Sequence, residues 1–163
     1  MALTTTIGGA SSDSYATAAD YTARAAAMGW MLNATQETDM RRAAVAIDAL
    51  WLCRALGYRQ YQAQAREFPR VIGDLVQGWP VNVDTIPQAI KDAQMEMAYL
   101  IQGGADPLAT IDAAVASERV KAGPVESETV YQGGKGQASY TAVATLLRPY
   151  LSAGAGQVQL RRA

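Results

Sequence analysis

Residues 35–57 read TQETDMRRAAVAIDALWLCRALG. Apolar side chains recur at Met40, Ala43, Ala44, Ile47, Leu50, Trp51 and Cys53–Ala55, the spacing of one helix face. Thr35 can cap the start, and Glu37 and Asp39 sit in the first turns, where the helix dipole favours acids. Gly57 offers a stop. The stretch predicts the central helix of a mainly α protein, with Cys53 packed inside.

Upstream, Thr17-Ala-Ala-Asp20 has capping-box spacing and opens a helix that Gly29 can end. Trp30, Met31 and Leu32 follow as a bulky corner. Residues 1–13 read as an extended N-terminal arm, β-favouring at Thr4–Ile7 and broken at Gly8-Gly9. Such an arm must lean on the body of the domain or on a neighbouring subunit.

Downstream, residues 58–83 mix Tyr58, Tyr61, Phe68 and Trp79 with Pro69, Pro80, Gly73 and Gly78. They predict a long irregular loop with a short helical turn at 60–67, and long loops in small domains often carry function. A third helix is expected from about Asp84 to Gln102. Pro87 falls in its first turn, and Ile86, Ala89, Ile90, Ala93, Met97, Leu100 and Ile101 form its buried stripe. Residues 115–131 predict a β-hairpin about Gly123-Pro124, with Arg119 opposite Glu128 and Lys121 opposite Glu126. Gly133-Gly134-Lys135-Gly136 reads as a joint. A short helix from Ser139 to about Arg148 ends at Pro149. The fold class is a small bundle of about four helices with a hairpin, an extended N-terminal arm and a flexible C-terminal tail. The expected divisions are 1–13 (arm), 14–151 (one helical domain) and 152–163 (tail).

The chain has 163 residues, enough for one compact domain. Its hydrophobic half is rich in Ala, which favours closely packed helices. The formal net charge is -1, so no general basic field draws the protein to nucleic acid. There is no His, the commonest general base and zinc ligand, and the lone Cys53 cannot form an internal disulfide. A reducing compartment is the default. The N-terminus lacks the basic and apolar regions of a signal peptide, and no run reaches membrane-spanning length.

Gly134-Lys135-Gly136 lacks the Ser or Thr and the upstream Gly of a phosphate loop. The Glu37/Asp39 and Glu126/Glu128 pairs have structural explanations, at a helix start and opposite cations. No catalytic, cofactor-binding or metal-binding residue is therefore expected, and no enzyme activity. Arg54, Arg59, Arg66 and Arg70 against Glu67 form the clearest basic cluster. It reads as a solvated face, as a subunit interface, or as a phosphate contact. Arg119, Lys121, Glu126 and Glu128 are further interface candidates. The tail holds Val158, Leu160, Arg161 and Arg162, either as an ordinary loose end or as a docking strand with alternating anchors.

Several segments in order resemble a phage family. They are Ser14-Tyr15 through Gly29-Trp30, Arg41–Asp48, Phe68-Pro69-Arg70, Ile86–Ala93, Glu118–Glu126 and Tyr140–Leu151. The resemblance spans roughly residues 10–151 and is to head–tail connector, or adaptor, proteins of tailed phages. Some members carry the label of DnaT-like single-stranded DNA-binding proteins. The resemblance implies a structural virion protein with no cofactor. Its subunits would form a ring, usually dodecameric, in the virion neck. The ring would bind the portal protein and a tail-side neck or tail terminator protein, with double-stranded DNA passing through and no membrane involved. Assembly would take place in the host cytoplasm, and the tail would dock on the portal. The alternative is single-stranded DNA binding, which needs a positive groove lined with stacking aromatics.

Overall fold

A computed structural model describes residues 2–109, 115–121, 126–131 and 140–152. It divides into two compact units, Met1–Ala105 with Tyr140–Ala163, and Asp106–Ser139. The first is helical: α1 (Ala18–Met28), α2 (Gln36–Leu50), α3 (Gln88–Gln102) and α4 (Thr141–Leu147). It also holds a two-residue antiparallel ladder of β1 (Tyr58–Arg59) with β2 (Arg70–Val71). The second unit contains β3 (Val115–Lys121) and β4 (Glu126–Tyr131), paired antiparallel. The protein is mainly α, with a small antiparallel hairpin, as its sequence predicts.

The core is built by α2 on α3 and α3 on α4. Met40, Ala43, Ala44, Ala46 and Ile47 of α2 are buried, as are Ile90, Ala93, Met95, Met97, Ala98 and Ile101 of α3. Small side chains such as Ala43, Ala46, Ala93 and Ala98 let helices pack closely. Gln94 is a polar member of this core and is fully buried. Its Oε1 accepts from the Tyr15 and Ala16 amides at 2.8 and 3.1 Å. Its Nε2 donates to Ser14 Oγ and to the Met40 carbonyl, at 2.7 and 2.8 Å. One amide thus satisfies the chain entering α1 and ties it to α2 and α3.

Thr17 and Asp20 form the expected capping box, and Gly29 ends α1 in the left-handed region at φ 71°. Several expectations are corrected. Residues 2–13 are not an extended arm. They fold back on themselves, with the Asp13 amide donating to the Thr4 carbonyl at 2.9 Å and the Thr4 amide to Asp13 Oδ1 at 2.7 Å. Thr35 stands at the N-cap of α2, yet its hydroxyl does not cap; it lies 2.7 Å from Asn33 Oδ1 and 2.6 Å from Asp39 Oδ2. α2 ends at Leu50, and a 3₁₀ turn over Leu52–Arg54 follows. Three residues per turn instead of 3.6 shifts the facing of the side chains. Cys53 is consequently exposed rather than buried, with its thiol 3.3 Å from the Ala49 carbonyl. Gly57 makes the later chain reversal, at φ 69°.

No helical turn forms at 60–67. Buried Gln64 organises the segment instead, accepting from the Tyr61 amide at 3.0 Å and donating to the Arg66 and Pro69 carbonyls at 2.8 and 3.0 Å. α3 begins at Gln88, not Asp84, with Pro87 as its N-cap. Proline bars the preceding residue from helical backbone. The Asp84 amide donates instead to Asn82 Oδ1, closing a local turn. Pro149 lies inside a 3₁₀ turn, Arg148–Tyr150, that continues α4. In the hairpin, Arg119 pairs with Glu128 and Lys121 with Glu126, the register that the charge pattern predicts. Residues 122–125 and the Gly133–Gly136 joint lie outside the described residues.

Candidate interaction surface

Tyr15, Asp48 and Arg66 form one hydrogen-bonded network. Tyr15 precedes α1, Asp48 is on α2, and Arg66 and Glu67 are in the loop before β2. The Tyr15 hydroxyl donates to Asp48 Oδ1 and accepts from the Glu67 and Phe68 amides at 3.0 and 3.3 Å. Arg66 reaches Asp48 Oδ2 at 3.3 Å and the Ser12 carbonyl at 3.3 Å. Burial pushes the Asp48 carboxyl up to about 6, against the pull of the Tyr15 hydroxyl and of Arg66. Burial, reinforced by Asp48, raises the Tyr15 phenol well above its ordinary value, so it stays protonated and donates. Here three separate chain segments are clamped together.

Arg70, 8% exposed, plays a matching part. It donates to the carbonyls of Ala55, Leu56 and Gly57 at 3.1, 2.9 and 2.8 Å and to Glu67 Oε2 at 2.7 Å. Its guanidinium fills the chain reversal between the 3₁₀ turn and β1 with five-donor fork geometry. Gly57 is needed there, because a Cβ would stand 1.9 Å from the Val71 carbonyl oxygen.

The four arginines therefore do not make one basic face. Arg66 and Arg70 work inside the molecule. Arg54 and Arg59 are exposed, and Arg59 bonds the Gln64 carbonyl. The Arg54 carbonyl accepts from the amide and hydroxyl of Ser152, both at 2.9 Å, which holds the described end of the chain. Arg119, Lys121, Glu126 and Glu128 are placed by the strand register alone. Val158, Leu160, Arg161 and Arg162 lie outside the described residues.

What the surface offers instead is aromatic. Tyr58 is 66% exposed, Tyr61 45% and Trp79 76%. All three lie in the 58–83 segment that the sequence predicts as a loop, whereas Trp30, at the corner after α1, stacks on Tyr99 at 4.5 Å. Among the described residues no group of three or more His, Cys, Asp or Glu could hold a metal ion. No helix among them is long and apolar enough to cross a membrane.

A family model described as "Putative DnaT-like ssDNA binding protein" matches residues 1–163. The chain belongs to this DnaT-like family. No curated relative and no solved structure matches it. The DnaT-like match spans the residues of both units.

Proposed function

We propose that the protein is a non-catalytic structural subunit of a tailed-phage neck. In this reading it is a head–tail adaptor that forms a homo-oligomeric ring, bridges the portal protein to a tail-side partner and lets double-stranded DNA pass. The observation that carries the reading is the use made of the cations. Arg66 and Arg70, two of the four arginines of the clearest basic cluster in the sequence, are engaged by Asp48, Glu67 and backbone carbonyls. A conduit for DNA is served by walls that do not grip phosphate, whereas a nucleic-acid groove would leave such arginines free. The ordered resemblance to connector proteins supplies the neck. Mixing purified protein with portal should give ring-shaped particles on grids, and the protein should be present in purified virions. Absence from virions would remove the reading.

A second reading, single-stranded DNA binding, has the family description on its side. The comparison with known proteins speaks for it more directly than for the adaptor. It also has Tyr58 and Tyr61 exposed on either side of Arg59, with Arg54 nearby in sequence, a small stacking platform with two cations. Oligonucleotide gel shifts at moderate salt separate the two readings. A shift at micromolar protein that disappears in Tyr58→Ala/Tyr61→Ala would favour single-strand binding; no shift would dismiss it. Under the adaptor reading, deleting residues 153–163 leaves the helical unit folded and weakens portal attachment.

A further inference from the structure

The second compact unit holds, among its described residues, one sheet of two strands, β3 on β4. A two-stranded hairpin is marginal in water unless a third strand or a packed apolar face supports it. The register offers little apolar face. Alternation sets the Arg119–Glu128 and Lys121–Glu126 pairs on one face with Val130, and Val120 on the other with Ser127 and Thr129. The hairpin does present edges. Each strand has one side on its neighbour and one side on which, among the described residues, no third strand lies. The edges differ in charge. β3 carries Arg119 and Lys121 beside one acid, Glu118, whereas β4 carries Glu126 and Glu128 and no cation.

We infer that these edges join copies of the chain: β3 of one copy pairs antiparallel with β4 of the next, so that the hairpins form one continuous sheet. The charges select both occupant and direction. Laying β4 on β4 sets acids against acids, and like charges opposite one another destabilise a ladder. Laying β3 on β3 can oppose Glu118 to Lys121 but leaves each acidic edge open. Laying β3 on β4 repeats between copies the pairing that the chain already makes within itself, Arg119 with Glu128 and Lys121 with Glu126. It also covers both edges of every copy, which the other two arrangements do not. A nucleic-acid strand is a poorer occupant, because the two strands together hold three acids and two cations. Backbone hydrogen bonds supply the affinity of such strand addition. With both faces largely polar, the charges rather than an apolar stripe set its register. The pairing is head-to-tail, the kind that closes into a ring when the rotation between copies allows. Closure leaves no edge open to chance partners. This inference rests on the ring reading and names one of its contacts.

The test uses the full chain with its hairpin charges exchanged: Arg119→Glu, Lys121→Glu, Glu126→Lys and Glu128→Lys. The exchange keeps opposite charges paired within each hairpin and between exchanged copies. It opposes like charges wherever an exchanged copy meets wild type. Cys53, the single cysteine of the chain, is exposed and takes a donor or an acceptor dye. Wild type and exchanged protein should melt alike and should each self-associate over the same concentration range by sedimentation. In mixtures, energy transfer between the two should need at least about tenfold more protein than transfer within either. The milder exchange of one pair, Lys121→Glu with Glu126→Lys, should show the same preference at lower amplitude. Free mixing of wild type with both exchanged proteins would overturn the contact and leave the ring to other surfaces, as would exchanged proteins that fold but no longer self-associate. Wild type that stays monomeric at every concentration, with and without portal, would overturn both. Wild type that is monomeric alone but binds portal, with portal binding lost on exchange, would assign the edges to the portal and overturn the pairing of copies.

Discussion

At Asp48 a carboxylate on α2 meets a site that removes its water. Burial lifts it to about 6 despite Tyr15 and Arg66. A carboxyl that ionises less readily folded than unfolded binds more protons when folded. Its contribution therefore declines as pH rises from about 4 to about 6. Asp13 acts the other way. Burial opposes its ionisation, but the Arg41 guanidinium at 2.6 Å and the Thr4 amide outweigh it and hold the carboxyl below 3.8. Its contribution is complete above about pH 4 and is lost as pH falls through the lowered value. The two windows do not overlap. Asp48→Asn should thus gain on wild type as pH rises between 4.5 and 7, by up to about 3 kcal/mol, and keep the acid limb below 4. Parallel stability curves for the two proteins over that range would dismiss the burial argument. Tyr21 gives a simpler case. It is fully buried and its hydroxyl has no hydrogen-bond partner. An unpaired buried hydroxyl costs more than it returns, so Tyr21→Phe should leave stability unchanged or raise it by about 1 kcal/mol. A melting temperature lowered by several degrees would mean that the hydroxyl is satisfied after all.

Elements divide into those that periodicity reveals and those that tertiary partners make. α1, α2 and the body of α3 follow from apolar spacing, a capping box and Gly29. The hairpin register follows from Arg119, Lys121, Glu126 and Glu128. Gln94 and Gln64 were illegible, because a polar residue on a buried face breaks the pattern unless its partners are known. Those of Gln94 lie 54 to 80 positions away. Arg66 and Arg70 looked like surface charge for the same reason: a sequence reports cations, not the carbonyls aimed at them. Two glycines test how far local and tertiary causes differ. Gly29 and Gly57 have nearly the same φ, 71° and 69°. A Cβ at Gly29 meets nothing within 4 Å, whereas at Gly57 it meets the Val71 backbone at 1.9 Å. Gly29→Ala should cost about 1 kcal/mol, the price of left-handed backbone alone. Gly57→Ala must also displace β2 and should cost at least about 3 kcal/mol. Urea denaturation of both variants measures the difference, and equal losses would mean that the β1–β2 reversal yields without strain.

For the whole molecule, the decisive fact is where the core draws its residues. The unit of Met1–Ala105 and Tyr140–Ala163 has a core of its own, with Val143 and Leu147 of α4 joining the side chains of α2 and α3. That unit also owns its polar clamps, at Gln94, at Asp48 and at Arg70. It closes on itself through the Ala55–Leu151 bridge and the Leu56 amide donating to the Tyr150 carbonyl at 2.8 Å. A unit with its own core and its own closure should fold without the inserted segment. Replacing residues 106–139 with a flexible Gly-Ser linker is therefore expected to leave one cooperative thermal transition. Its helical signal should be retained and its midpoint should lie within a few degrees of the full chain. A linker adds loop-closure entropy that grows only slowly with length, so its exact size matters little. If the shortened protein lost its near-ultraviolet signature or melted without cooperativity, the helical unit would need residues 106–139 for its own stability. If it folds, self-association can be measured with the hairpin absent, and any remaining association must arise from the helical unit.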